Sequence, residues 1–89
     1  MKSVKKKVII KNKLGLHARP AALFVQLANK FESDIAIRKD KQKVNGKSIM
    51  GVMMLAAAKG TEIEIETKGS DAYRAVEELG KLLVSDLEG

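Results

Sequence analysis

Thr61-Glu62-Ile63-Glu64-Ile65-Glu66-Thr67 alternates glutamate and isoleucine through its middle, and the reading of this stretch decides the fold. Successive strand residues point to opposite faces, so Ile63 and Ile65 belong to a buried face and Glu62, Glu64 and Glu66 to a wet one. Val4 to Lys11 carries the same period. Val4, Val8 and Ile10 share one parity, while Lys5, Lys7 and Lys11 take the other. Pairing these two strands would set lysines against glutamates, at up to about 1 kcal/mol per good cross-strand pair. A sheet that is apolar on one face only needs helices to cover that face.

The segments between supply them. From His17 to about Lys30 the apolar residues Ala21, Ala22, Leu23, Phe24, Val25, Leu27, Ala28 and Phe31 follow helical spacing, with Pro20 suited to the first turn. Ile35–Arg38 reads as a short strand, Lys39–Gln42 as a polar turn, and Lys43–Asn45 as a brief returning strand before the Asn45-Gly46 turn. Ser48 is a preferred N-cap for a short helix over Ile49–Ala56 that ends before Gly60. Ser70 or Asp71 caps a last helix whose Ala72, Ala75, Val76, Leu79, Leu82, Leu83 and Leu87 repeat at three and four. The expected order is βαββαβα, an α+β class, with residues 1–89 as a single domain.

Composition narrows the function classes. With 45% hydrophobic and 31% charged residues, the chain is too apolar for a disordered one. It has no cysteine, which excludes disulfides and thiolate metal sites, and no metal-ligand cluster is visible. The apolar stretch directly after the early lysines is only Val8-Ile9-Ile10, and no apolar run approaches the roughly 20 residues of a membrane span, so neither a signal peptide nor a membrane insertion is expected, and a cytoplasmic location follows by default. The net charge of +6 raises nucleic acid as a partner. Aromatics are only 3%, with no pair spaced to stack bases, so no direct nucleic-acid role is expected.

Gly15-Leu16-His17-Ala18-Arg19-Pro20-Ala21 places the one histidine of the chain at the mouth of the first helix. A ring at the N-cap lies beside free N–H groups and the positive end of the helix dipole, which together make an anion site. Arg19 adds a planar fork of donors suited to phosphate. A nucleophilic imidazole beside such a cradle is a credible carrier of a phosphoryl group.

With these residues in view, the chain resembles the HPr family, the histidine-containing phosphocarriers of the bacterial phosphoenolpyruvate-dependent sugar phosphotransferase system. Leu14–Ala21 matches the family's active-site signature, and Lys47-Ser48-Ile49-Met50-Gly51-Val52-Met53 matches its second signature around a regulatory serine. The resemblance implies an open-faced β-sandwich, a four-stranded antiparallel sheet with three helices on one face. It implies that His17 accepts a phosphoryl group on Nδ1 from phosphorylated enzyme I, with Arg19 stabilising it, and passes the group to sugar-specific EIIA domains. It further implies Ser48 as the target of an ATP-dependent kinase/phosphorylase, with the phosphoserine form meeting a catabolite-control transcription factor. Lys13 and Leu14 depart from the small polar residues often found at those positions.

Six of the seven residues from Ile49 to Leu55 are large and apolar, more than one face of a short helix can bury. The excess suits docking of several partners, and the resemblance places such contacts on Leu16, Ile49, Met50 and Met53. No cofactor is expected, and the chain reads as a monomeric covalent shuttle rather than an independent enzyme. Two rivals lie close by. A nitrogen-branch phosphocarrier would keep the histidine, but the Ser48 segment favours the carbon branch. A purely regulatory HPr-like paralogue would lack the histidine, so His17 argues against it.

Overall fold

Strand parity dominates the architecture. In the computed structural model, which describes residues 3–85, the elements run β1 (Ser3–Ile9), α1 (Ala18–Ala28), β2 (Asp34–Lys39), β3 (Gln42–Asn45), α2 (Ile49–Met54), β4 (Glu62–Lys68) and α3 (Ala72–Val84). Leu87, expected on the apolar face of the last helix, lies outside the described residues. The four strands form one antiparallel sheet in the order β1-β4-β2-β3. All three helices cover one face, giving the open-faced sandwich.

The β1–β4 register sets Lys5 opposite Glu66 and Lys7 opposite Glu64, as the alternating lysines and glutamates led us to expect. The direct ion pair of Glu66 is with a different lysine. Lys43 on β3, opposite Arg38, reaches diagonally across β2 past the small Ala36, which is the residue opposite Glu66, to meet Glu66 at 3.1 Å. That contact, with weaker help from Lys5 and Arg38, holds the Glu66 carboxyl below its ordinary range.

On the other face Val8, Ile35, Ile37, Ile63 and Ile65 meet Phe24 of α1, Val52 of α2 and Val76, Leu79 and Leu83 of α3 in one continuous core. Lys6 shares the inward parity of Val4 and Val8. It lies at the edge of the sheet, where its stem runs against Gly80 and its ammonium meets Glu77 of α3 at 3.4 Å.

Two local expectations are corrected. Asp71 stands at the N-cap of α3 but its carboxylate makes no capping bond. It instead accepts the amides of Glu32 and Ser33, at 2.9 and 3.0 Å, and the hydroxyl of Ser33. The buried Ser33 has to be satisfied, and the charged acceptor serves the α1–β2 connection rather than the helix. Lys39, read as part of a polar turn, ends β2 instead, on the parity of Ile35 and Ile37. Its Nζ donates to the carbonyls of Leu55 and Ala56 at the end of α2.

Candidate functional site

The loop before α1 is built to hold one residue at the helix entrance. Asn12 is buried; its side-chain oxygen accepts the Leu14 amide at 3.1 Å and its carbonyl the Gly15 amide at 3.0 Å. Gly15 then turns at φ +75°, a conformation that L side chains seldom adopt. A β-carbon there would also lie 2.4 Å from the carbonyl oxygen of Ala57. Only glycine meets both demands. The Leu16 amide bonds the same carbonyl at 2.8 Å, which ties this loop to the turn after α2.

His17 follows as the N-cap of α1, in an extended conformation, and its carbonyl accepts the Ala21 amide at 3.0 Å. Its ring makes no capping bond. Nε2 is buried without a hydrogen-bond partner. Among the described residues, no acceptor takes the amides of Ala18 and Arg19, and the first turn of the helix holds no acidic side chain. The positive end of α1 is therefore uncompensated. Pro20, the third helical residue, has no N–H to satisfy and is buried.

His17 shares an open concavity of about 340 Å³ with Leu14, Leu16, Met53, Ala56, Ala57 and Ala58. Of its lining, Leu14 is 70% exposed and Met53 43%; Met50 and Met54, on the same helix as Met53, are 72% and 66% exposed. Ile49 is also exposed. Leu16, expected on the docking surface, is only 4% exposed and packs in the core.

Arg19 is exposed on the first turn of α1, with no ion pair among the described residues, and the structure does not bring it into contact with His17. Ser48 caps α2, its hydroxyl oxygen accepting the Gly51 amide at 3.1 Å. It stands roughly 7 Å along the helix axis from Met53, at the 1.5 Å rise of an α-helix. His17 and Met53 are thus brought together, while Ser48 lies at the far end of the same short helix. The sequence reading missed Asn12 and Lys39. The signal for Lys39 was present, because it repeats the parity of Ile35 and Ile37.

No helix among the described residues is long and apolar enough to cross a membrane. The family model described as the phosphorylation site of the PTS HPr component matches residues 4–85. The phosphocarrier protein HPr of Neisseria meningitidis is 52% identical over 80 residues, 90% of each chain. The HPr-like protein Crh of Bacillus subtilis is 54% identical over 76 residues, covering 85% of this chain and 89% of that one. The crystal structure of phosphocarrier HPr from Bacillus anthracis superposes with a TM-score of 0.89 at 53% identity, over 93% of this chain and 99% of its own.

Proposed function

Because the chain belongs to the HPr family of phosphotransferase-system proteins, we propose that His17 carries a phosphoryl group from phosphorylated enzyme I to sugar-specific EIIA domains in the cytoplasm. The observation that carries this reading is the state of the His17 ring. Nε2 is buried and unpartnered, which favours Nδ1 as the source of the attacking lone pair. In the neutral tautomer with its proton on Nε2, Nδ1 attacks phosphorus as the donor's P–N bond breaks. No proton leaves in that step, so the absence of a capping carboxylate on the ring is no obstacle. The ring becomes an imidazolium whose charge is offset by the phosphoryl oxygens, a form ready to give the group up.

The oxygens find donors close by. The amides of Ala18 and Arg19 and the positive end of an acid-free helix favour the anion, and Arg19 is free to swing its guanidinium onto it. These donors are exposed rather than enclosed. That suits a group held between transfers, whose chemistry is completed in a partner's active site.

Ser48 supports a second layer. A phosphate on its hydroxyl would sit at a helix N-terminus, where the fold accepts it, and would add about two negative charges to the rim that carries Met50 and Met53. A kinase/phosphorylase and a catabolite-control transcription factor are the partners this implies. The likeness to Crh, the catabolite repression HPr of Bacillus subtilis, supports a regulatory use of this chain, while His17 favours carriage as well.

The test is transfer in sequence. Wild type and His17→Ala are incubated with phosphoenolpyruvate and enzyme I, and an EIIA domain is then added. Intact mass should show one acid-labile phosphate on wild type that moves to EIIA, and none on the variant. A folded wild type that takes no phosphate would defeat the reading.

A further inference from the structure

Lys39 starts a chain of contacts that ends at the His17 loop. At the end of β2 it keeps the core-facing parity of Ile35 and Ile37, and its Nζ lies 2.9 Å from the carbonyl oxygen of Leu55 and 3.5 Å from that of Ala56. Those two residues follow α2, and Ala56 is held at φ +49°. A left-handed residue after a helix is usually glycine, because a β-carbon crowds the following carbonyl. Here an alanine occupies the position, and it needs something to hold it there.

The next carbonyl is the one on which the nucleophile loop rests. Ala57 O accepts the Leu16 amide at 2.8 Å, and the Gly15 α-carbon packs too close to it for any side chain. The His17 amide in turn bonds Gly15 O at 2.9 Å. The direction of the Ala57 carbonyl, set by the left-handed turn at Ala56, therefore decides where His17 stands against the apolar rim. Among the described residues Lys39 has no carboxylate partner, so its ammonium is committed to this turn.

We propose that Lys39 is a positioning residue for phosphoryl transfer: it clamps the strained Leu55–Ala56 turn and through it fixes the seat of His17. The proposal rests on the carrier reading of His17 but is tested partly apart from it. Four proteins are compared: wild type, Lys39→Met, Lys39→Arg and the double variant Lys39→Met/Ala56→Gly. Hydrogen exchange of the Leu16 amide reads the seat directly. Single-turnover transfer from phosphorylated enzyme I, titrated with enzyme I, separates maximal rate from half-saturation.

Lys39→Met should speed Leu16 exchange and lower the maximal rate about five- to tenfold, since small misplacements of a nucleophile are costly. Half-saturation should stay near wild type, because Lys39 lies off the exposed rim. Lys39→Arg should recover most of the rate. So should Ala56→Gly in the Lys39→Met background, because glycine takes the left-handed turn unaided. Unchanged rate and exchange in Lys39→Met would overturn the proposal, as would a loss that Ala56→Gly leaves in place. If Lys39→Met does not fold, Lys39→Ala, which also removes the donor, is read by the same criteria. Should wild type itself take no phosphate, the carrier reading fails, and Leu16 exchange still decides whether the clamp exists.

Discussion

The amide of Leu16 donates to the carbonyl of Ala57 at 2.8 Å, joining the loop that carries His17 to the turn that ends α2. One bond thus couples the His17 loop to the helix that presents Met50 and Met53. Under the proposed function, a partner that grips the exposed methionines would be referenced directly to the reacting ring.

Met50 offers the plainest test of that rim. Its side chain is 72% exposed, so Met50→Asp should leave stability within about 0.5 kcal/mol of wild type. The enzyme I concentration for half-maximal transfer should rise roughly tenfold, equivalent to about 1.4 kcal/mol. Steady-state transfer assays alongside urea unfolding check both halves. Unchanged half-saturation would remove Met50 from the docking surface.

Ser48 has a structural duty as the cap of α2 and, under the proposed function, a regulatory one, and two substitutions separate them. Ser48→Ala deletes the acceptor of the Gly51 amide and should cost about 1 kcal/mol in urea unfolding, with little effect on phosphoryl transfer. Ser48→Asp keeps a capping oxygen and should restore stability, while its added charge slows transfer from enzyme I. Equal transfer rates in the two variants would leave Ser48 as a cap only.

Most of this arrangement was legible in residue order. The alternation of Glu62–Glu66 and the matching lysines of β1 revealed a one-faced sheet and two strands that pair within it. Gly15, His17 and Pro20 announced a helix entrance, because each residue type suits its position there for a separate reason. Long-range polar commitments were not legible. Asp71 looks like an N-cap because an N-cap preference is local, whereas the buried Ser33 that claims it is 38 residues away. Leu16 sits in an apolar-rich loop motif, and only its burial in the folded chain shows that it turns inward. Lys39 was hidden by its neighbours, since a lysine beside Asp40 and Lys41 reads as turn.

The Asp71 commitment has a pH consequence. The Ser33 hydroxyl first, then the Glu32 amide, hold its carboxyl below the ordinary aspartate value. A carboxyl with a lowered folded-state pKa contributes stability that is present above its unfolded value and is lost as pH falls through the folded one. Wild type should therefore lose stability below about pH 4 more steeply than Asp71→Asn, which has no charge to lose there. The variant should also be less stable at pH 7. Urea unfolding of both proteins across pH 2.5 to 7 measures the difference, and parallel curves would show that Asp71 contributes nothing to acid sensitivity.

The most direct test is nitrogen and phosphorus NMR of the protein labelled with ¹⁵N in histidine, before and after phosphorylation by enzyme I. The single histidine makes assignment unambiguous. The expected result is a proton on Nε2 in the free protein, then a phosphorus–nitrogen coupling confined to Nδ1. Phosphate on Nε2, or on any other residue, would contradict the seat described for His17.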